Sequence, residues 1–365
     1  MPVNSIPRHI HGGDILGTAA SCGLNPGDII DFSANINPMG PPPAVFEAIK
    51  ANLAHVVHYP DPRCGRLAAA LAGYLDVPVA EIICGNGASE LIFLLLAAVS
   101  PRVVLLPVPS FSEYEIAARV AGAEIRQLPL NRHNNFVLDL ANLEQALDGI
   151  DLVFLCSPNN PVGNLIAGES LRDAVRLCTD RGVFTVVDES FLDFVPRWQE
   201  LTCLSEVAPG KPLFVLRSLT KFFGIPGIRL GCGVGSADLV EALCRRKDPW
   251  SVNFLAQVAG VAALGDEEYR ENARELVARE REYLDTQMRR IPGILPYPAV
   301  ANFLLLDISG TGLTASSVCD SLVRKGILVR NCSSFPTLGE GFIRVAVRDR
   351  QENERLVEAL REVVS

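Results

Sequence analysis

The chain has 365 residues, 48% of them hydrophobic and 21% charged, with a formal net charge of −9. That much apolar content supports a large core and excludes a disordered polymer. The lack of any run of like charge argues against nucleic acid or an anionic membrane as partner. Ten scattered cysteines, none in a C-x-x-C pair, fit thiols kept reduced in the cytoplasm better than a disulfide framework or a zinc site, so no metal is expected.

In chain order, the segment Met1–Arg8 lacks the apolar core of a signal peptide. The first forty residues are rich in Gly, Asn and Pro and run into Pro41-Pro42-Pro43, which reads as an arm. Short apolar, β-branched runs then alternate with helical patterns, the mark of a mainly parallel sheet covered by helices. Strands are expected over Val103–Leu106, Glu124–Leu128, Leu152–Cys156, Phe184–Val187, Leu213–Arg217 and Leu230–Val234, with helices such as Ser89–Val99 and Glu113–Ala121 between them. Their near-continuous hydrophobicity suits strands buried on both faces. The longest apolar stretch, Leu91–Val99, is too short to span a bilayer. Phe254–Arg290 reads as one or two long helices, followed by strands at Asn302–Asp307, Ile327–Arg330 and Phe342–Val347 and helices at Ala315–Lys325 and Arg350–Val364. The length suggests about two domains. The expected division is an arm over 1–44 packed with a small α+β domain over 254–365, and a large α/β domain over 45–253.

Four clusters carry chemistry. Ser218-Leu-Thr220-Lys221 to Arg229 follows a strand, where open α/β sheets bind ligands. A lysine desolvated there is a nucleophile toward an aldehyde, and the hydroxyls and arginine suit a phosphate. Asp188 ends an apolar strand and needs a partner, for which a protonated ring nitrogen would serve; capping the next helix is the plainer use. Gly85-Asn-Gly-Ala88-Ser89 opens a helix and offers free N–H groups to an anion. Ser157-Pro-Asn159-Asn160-Pro161 follows another strand, and Asn160 could donate to a phenolate oxygen.

Taken together and in this order, GNGASE, PSFSEY, SPNNPVG, VVDES, SLTK with Arg229, and FIRVAV resemble the fold-type I pyridoxal-5′-phosphate enzymes of the class I/II aminotransferase superfamily. The resemblance implies that Lys221 binds the cofactor's aldehyde carbon, that Asp188 pairs with its ring nitrogen and that Asn160 faces its ring hydroxyl. Ala88, Ser89, Ser218, Thr220 and Arg229 would hold its phosphate, and Phe111 would stack on its ring. Tyr59 matches a tyrosine that reaches the neighbouring subunit's cofactor phosphate, which implies a homodimer. One departure stands out: Phe191 occupies a place where the superfamily commonly has a tyrosine.

Two subfamilies compete, the histidinol-phosphate aminotransferases and the L-threonine-O-3-phosphate decarboxylases of cobalamin synthesis. His11-Gly12-Gly13-Asp14, Asp31-Phe-Ser-Ala-Asn35-Ile-Asn37-Pro38 and Val329-Arg330-Asn-Cys-Ser resemble the decarboxylases. This implies substrate contacts at His11, Gly12, Asn35, Asn160, Arg330 and Arg344, and a small phosphorylated amino acid as substrate. L-Serine phosphate, one methyl group smaller, is a close variant. A ligand-sensing regulator of the same fold would need a DNA-binding extension, and an arm whose motif begins at His11 is expected to leave no room for one.

Overall fold

The computed structural model describes residues 11–365; the segment Met1–Arg8 and the rest of the first ten positions lie outside the described residues. In chain order, a short helix α1 (Ile15–Cys22) and strand β1 (Ile30–Asp31) lead into α2 (Pro43–Asn52) and α3 (Gly65–Leu75). The sheet begins with β2 (Ile82–Gly85), α4 (Ala88–Val99), β3 (Val103–Val108), α5 (Ser112–Val120) and β4 (Glu124–Pro129). It continues through α6 (Leu140–Ala146), β5 (Leu152–Cys156), α7 (Gly168–Asp180), β6 (Phe184–Asp188), β7 (Leu213–Ser218), α8 (Leu219–Phe222), β8 (Gly231–Gly235) and α9 (Ala237–Cys244). Two helices, α10 (Phe254–Leu264) and α11 (Glu267–Met288), precede β9 (Leu295–Pro296) and β10 (Phe303–Asp307). The chain closes with α12 (Ala315–Val323), β11 (Ile327–Leu328), β12 (Arg330–Asn331), β13 (Phe342–Ala346) and α13 (Arg350–Val364).

Seven strands form one sheet in the order β2-β8-β7-β6-β5-β3-β4. The run from β7 to β4 is parallel, and β8 is antiparallel to both of its neighbours. Alternate side chains go to opposite faces, as the pleat requires. Val104, Leu106, Phe154, Val186, Phe214 and Leu216 pack on one side with α4 and α5. Leu105, Val153, Leu155, Val187 and Val215 pack on the other, with α3, α7 and α10. Both faces of β3, β5, β6 and β7 are covered, which is why these strands are almost wholly apolar; β4, expected to be buried as they are, is instead an edge strand with no buried residue. β8 reads Gly-Cys-Gly-Val-Gly because its neighbours come close: a Cβ on Gly231 would stand 2.5 Å from the main-chain N of Ala88. The start of α4 is thereby laid against β8.

The C-terminal part carries a four-stranded antiparallel sheet, β12-β13-β10-β9. The expected strand over Ile327–Arg330 is in fact two. β11 pairs in parallel with β1 of the arm, whereas β12 pairs with β13. Phe254–Arg290 resolves into α10 and α11, which breaks at Gly265 and restarts where Asp266 caps the N–H of Tyr269. Among the described residues no helix is long and apolar enough to cross a membrane.

Candidate active site

The carboxyl ends of β5, β6 and β7 and the turn after β2 meet the C-terminal sheet around Lys221. This lysine lies in α8, one short turn after β7, and its Nζ donates to Ser218 Oγ at 3.3 Å. Burial lowers its pKa from 10.5 to about 8; Asp188 opposes that fall, while the charges of Arg229 and Arg344 add to it. A substantial share of the amine is therefore neutral, and nucleophilic, near pH 8.

Asp188 ends β6, is 4% exposed, and accepts from Tyr114 Oη at 2.6 Å through Oδ2 and from the Ser190 N–H at 2.9 Å through Oδ1. Tyr114 is buried and stacks on Phe154 with ring centroids 4.5 Å apart. Burial, with the adjacent carboxylate, pushes its pKa well above the ordinary phenol value, so it stays protonated and acts as a donor. The motif PSFSEY held this residue in view, yet nothing in the sequence assigned it a task. Its one signal was position: three residues after Phe111, on the same side of the first turn of α5.

The phosphate-suited groups gather at the start of α4. Gly87 caps this helix with no side-chain hydrogen bond, leaving its first N–H groups, with Ala88 and Ser89 in the first turn, available to an anion. The Arg229 guanidinium lies over Gly87, where an added Cβ would come 2.6 Å from Nη2, and Arg229 itself takes a left-handed φ of 62°. The Thr220 hydroxyl donates to the Leu230 carbonyl at 3.1 Å. Arg229 is exposed in the single chain. Tyr59 is not gathered here: it is 78% exposed and stacks on Trp250 at 4.6 Å.

The C-terminal sheet and the arm supply a second set. Arg330 and Arg344 sit directly opposite each other in the β12–β13 register, 7% and 5% exposed. Like charges at facing positions destabilise a sheet, so the pair is arranged for something other than stability. Arg344 donates to the Asn160 side-chain oxygen and to the Ser33 carbonyl at 2.9 Å, not to a carboxylate, and its Nε is buried without a partner. Burial, with the charge of Arg330 in the same direction, holds its pKa down to about 10. Arg330 donates to Ser334 Oγ at 3.0 Å and lies over the Phe335 ring. Buried Asn35 has an unpartnered side-chain oxygen. Because Arg344 takes the oxygen of Asn160, the amide N–H groups of Asn160 remain as its donors.

Gly12 crosses Ser33 so closely that a Cβ would stand 2.2 Å from the Ser33 carbonyl oxygen, and the Gly13 N–H donates to Ser33 Oγ at 2.8 Å. Sequence reasoning missed Ser33, a residue whose main chain and side chain together join the arm to Arg344. His11 reaches Glu113 at 2.9 Å and lies 6.0 Å from the Phe111 ring. Phe191, where a tyrosine is common in the superfamily, is buried edge-on against Phe303.

These groups fit pyridoxal phosphate on chemical grounds. An uncapped helix start with an arginine over it could hold the phosphate, a buried carboxylate could hold a protonated ring nitrogen, and a lysine of lowered pKa could take the aldehyde. Arg344 Nε and the Asn35 side-chain oxygen are buried without a hydrogen-bond partner, which leaves them able to take one. Among the described residues no cluster suits a metal ion.

Comparison with known proteins agrees. The family model described as aminotransferase class I and II matches residues 27–360. The chain is 37% identical to the threonine-phosphate decarboxylase of Salmonella typhimurium, covering 97% of this chain and 96% of the relative. It is 34% identical to the histidinol-phosphate aminotransferase of Methanopyrus kandleri, covering 95% and 91%. The crystal structure of the L-threonine-O-3-phosphate decarboxylase from Porphyromonas gingivalis superposes with a TM-score of 0.80 at 26% identity, over 91% of this chain and 98% of that one. The protein is a pyridoxal-5′-phosphate-dependent enzyme and belongs to the aminotransferase class I and II family.

Proposed function

We propose that this enzyme decarboxylates L-threonine O-3-phosphate to (R)-1-amino-2-propanol O-2-phosphate, a step of cobalamin synthesis. The observation that carries the reading is the facing pair Arg330 and Arg344, two buried cations in register, the second of them close enough to Lys221 for its charge to act on the amine. A substrate with both a carboxylate and a phosphate uses both. The arm supports it, since His11 and Gly12 line one cavity with Arg330.

Bound pyridoxal phosphate supplies an electron sink for the pair released when a bond at the substrate's α-carbon breaks. The chain does the rest. Lys221 Nζ would hold the cofactor's aldehyde carbon, and its amine would carry a proton to the substrate's α-carbon. Asp188 holds the ring-nitrogen proton, and Tyr114 fixes the carboxylate that does so. Ala88, Ser89, Ser218, Thr220 and Arg229 would bind the cofactor phosphate, Phe111 would cover its ring, and Asn160 would donate to its hydroxyl. The arginine that receives the substrate carboxylate decides which α-carbon bond is aimed for cleavage, which is selection by positioning.

This reading goes with an arm over 1–44, a cofactor-holding domain over 45–253 and a small domain over 254–365. It also goes with a cytoplasmic homodimer, in which Tyr59 serves the partner's cofactor. Val57, Tyr59 and Trp250 are large, apolar and exposed, which supports an interface there, and all ten cysteines are free thiols.

The test is product identification. Loaded enzyme given L-threonine O-3-phosphate alone should release carbon dioxide and the amino-propanol phosphate. The second reading, favoured by the 34% identity to a histidinol-phosphate aminotransferase, needs 2-oxoglutarate as a second substrate. Keto-acid-dependent turnover of histidinol phosphate without gas would reverse the assignment. L-Serine phosphate, lacking one methyl, should be decarboxylated about 10- to 200-fold less efficiently.

A further inference from the structure

A buried carboxylate lies just behind the site and takes no part in the chemistry above. Glu113 occupies the first turn of α5, two residues after Phe111, with its side chain 6% exposed. A carboxylate so covered needs a partner to be tolerated, and His11 Nε2 stands 2.9 Å from its Oε1. The histidine is the more exposed of the two, at 42%. It lines a cavity of about 500 Å³ together with Gly12, Ser33, Arg330 and Arg324, whereas Glu113 does not. The order is therefore carboxylate, then imidazole, then cavity. The acidic groups on the cavity wall are Asp14 of the arm and Asp320 of α12, and the cationic ones are Arg324 and Arg330.

The backbone that carries His11 is itself fixed. Gly12 abuts the Ser33 carbonyl, and Gly13 is hydrogen-bonded to the Ser33 hydroxyl. What the backbone leaves undetermined is the rotation of the ring and which nitrogen faces the cavity. A carboxylate bonded to one ring nitrogen settles both, as acidic partners do for histidines elsewhere. We infer that Glu113 is a positioning residue for recognition of the substrate's phosphate: it holds His11 by Nε2, so that Nδ1, the ring's other nitrogen, serves the phosphate alongside Arg330. This rests on the proposed reading only in taking the substrate to be a phosphorylated amine.

Affinity for the amine product makes a test that needs no turnover. The loaded enzyme is titrated with 1-amino-2-propanol O-2-phosphate and, separately, with 1-amino-2-propanol, following the visible absorbance of the cofactor. The ratio of the two affinities measures what the phosphate contributes. His11→Ala and Glu113→Ala should each lower that ratio about tenfold, the loss expected for one charge-assisted hydrogen bond at the lower end of its range. The double variant should be no worse than His11→Ala, because Glu113 acts through the histidine. Glu113→Gln, which keeps an acceptor for Nε2–H, should stay within about threefold of the parent. Additive losses in the double variant, or an unchanged ratio in Glu113→Ala, would overturn the inference. If phosphate discrimination follows this pattern while no carbon dioxide is released from L-threonine phosphate, the reaction assignment fails and the role of Glu113 stands.

Discussion

Asp188 and Glu189 are sequence neighbours, as are Arg217 and Ser218, yet each pair divides between opposite faces of one sheet. On the face shared with Val187 and Val215, Arg217 donates to Glu189 Oε2 at 3.0 Å and Asp193 Oδ1 at 2.6 Å, and lies 4.3 Å from the Trp198 ring. Thr202 Oγ1 and the Cys203 N–H complete Glu189, and Tyr74 donates to Asp193. Cation and carboxylates answer each other, and the cluster joins β6, β7 and the segment after β6. On the other face the cations outnumber the acids, Arg344 donates to an amide oxygen and a main-chain oxygen with no carboxylate to answer it, and burial pulls the pKa values of Lys221 and Arg344 down. One face uses buried charge to hold the strand ends in place. The other leaves its cations without balancing carboxylates, and buried charge left uncompensated is the physical sign of a site.

The comparison can be broken most sharply at its two lysine and arginine poles. Lys221→Met should retain the fold, measured by circular dichroism, and lose at least about 10⁴-fold in turnover, because both the covalent attachment and the proton carrier go with the amine. Residual turnover near that of the parent would mean that the uncompensated face is not the reactive one. Arg217→Met should do the reverse. Removing it strands two buried carboxylates, and the cost is about 3–5 kcal/mol, read as a fall in the urea midpoint of the cofactor-free protein. Adding Glu189→Gln and Asp193→Asn should return part of that stability. The folded, loaded fraction of Arg217→Met should keep turnover within about tenfold; a larger loss without destabilisation would place this cluster in the reaction.

The sequence shows one side of this contrast better than the other. Strands such as Leu152–Cys156 were legible because burial on both faces leaves an unbroken apolar run between turn residues. Lys221 and Asp188 stood out because a charge ending such a run demands a reason. What could not be read are contacts set by distant register. The Tyr114–Asp188 bond joins residues 74 apart, and the hold of Arg344 on Ser33 uses a main-chain oxygen 311 residues away. The facing of Arg330 and Arg344 depends on which residue of β12 meets which of β13. The split of Ile327–Arg330 into two strands was hidden for a similar reason, since it takes the arm's β1 to claim the first half. Likewise α1 lies in a stretch whose glycines suggested only an arm, and it is capped at Asp14 by a bond to the Gly17 N–H.

The smallest expected effect is also the one that separates the two faces by sign. Lys221 has a pKa near 8 in the folded protein, against 10.5 for an ordinary lysine. Between those values the unfolded chain binds more protons at this position than the native one, so this group makes stability rise with pH across that window. Below pH 8 the amine is charged in both states and the cost of burying it is fully present. Above 10.5 it is neutral in both and the cost is gone. Lys221→Met never carries that cost. In the cofactor-free protein it should therefore be more stable than the parent at pH 7, with an advantage that shrinks from pH 8 upward and vanishes past 10.5, measured as the difference in urea midpoints. Arg217→Met should be less stable throughout, with no such window, because burial, which would lower the arginine's pKa, is outweighed by Asp193 and Glu189, which raise it and keep it charged over the whole range. A Lys221→Met protein less stable than the parent at every pH would show that the lysine is as well paired as the arginine beneath it.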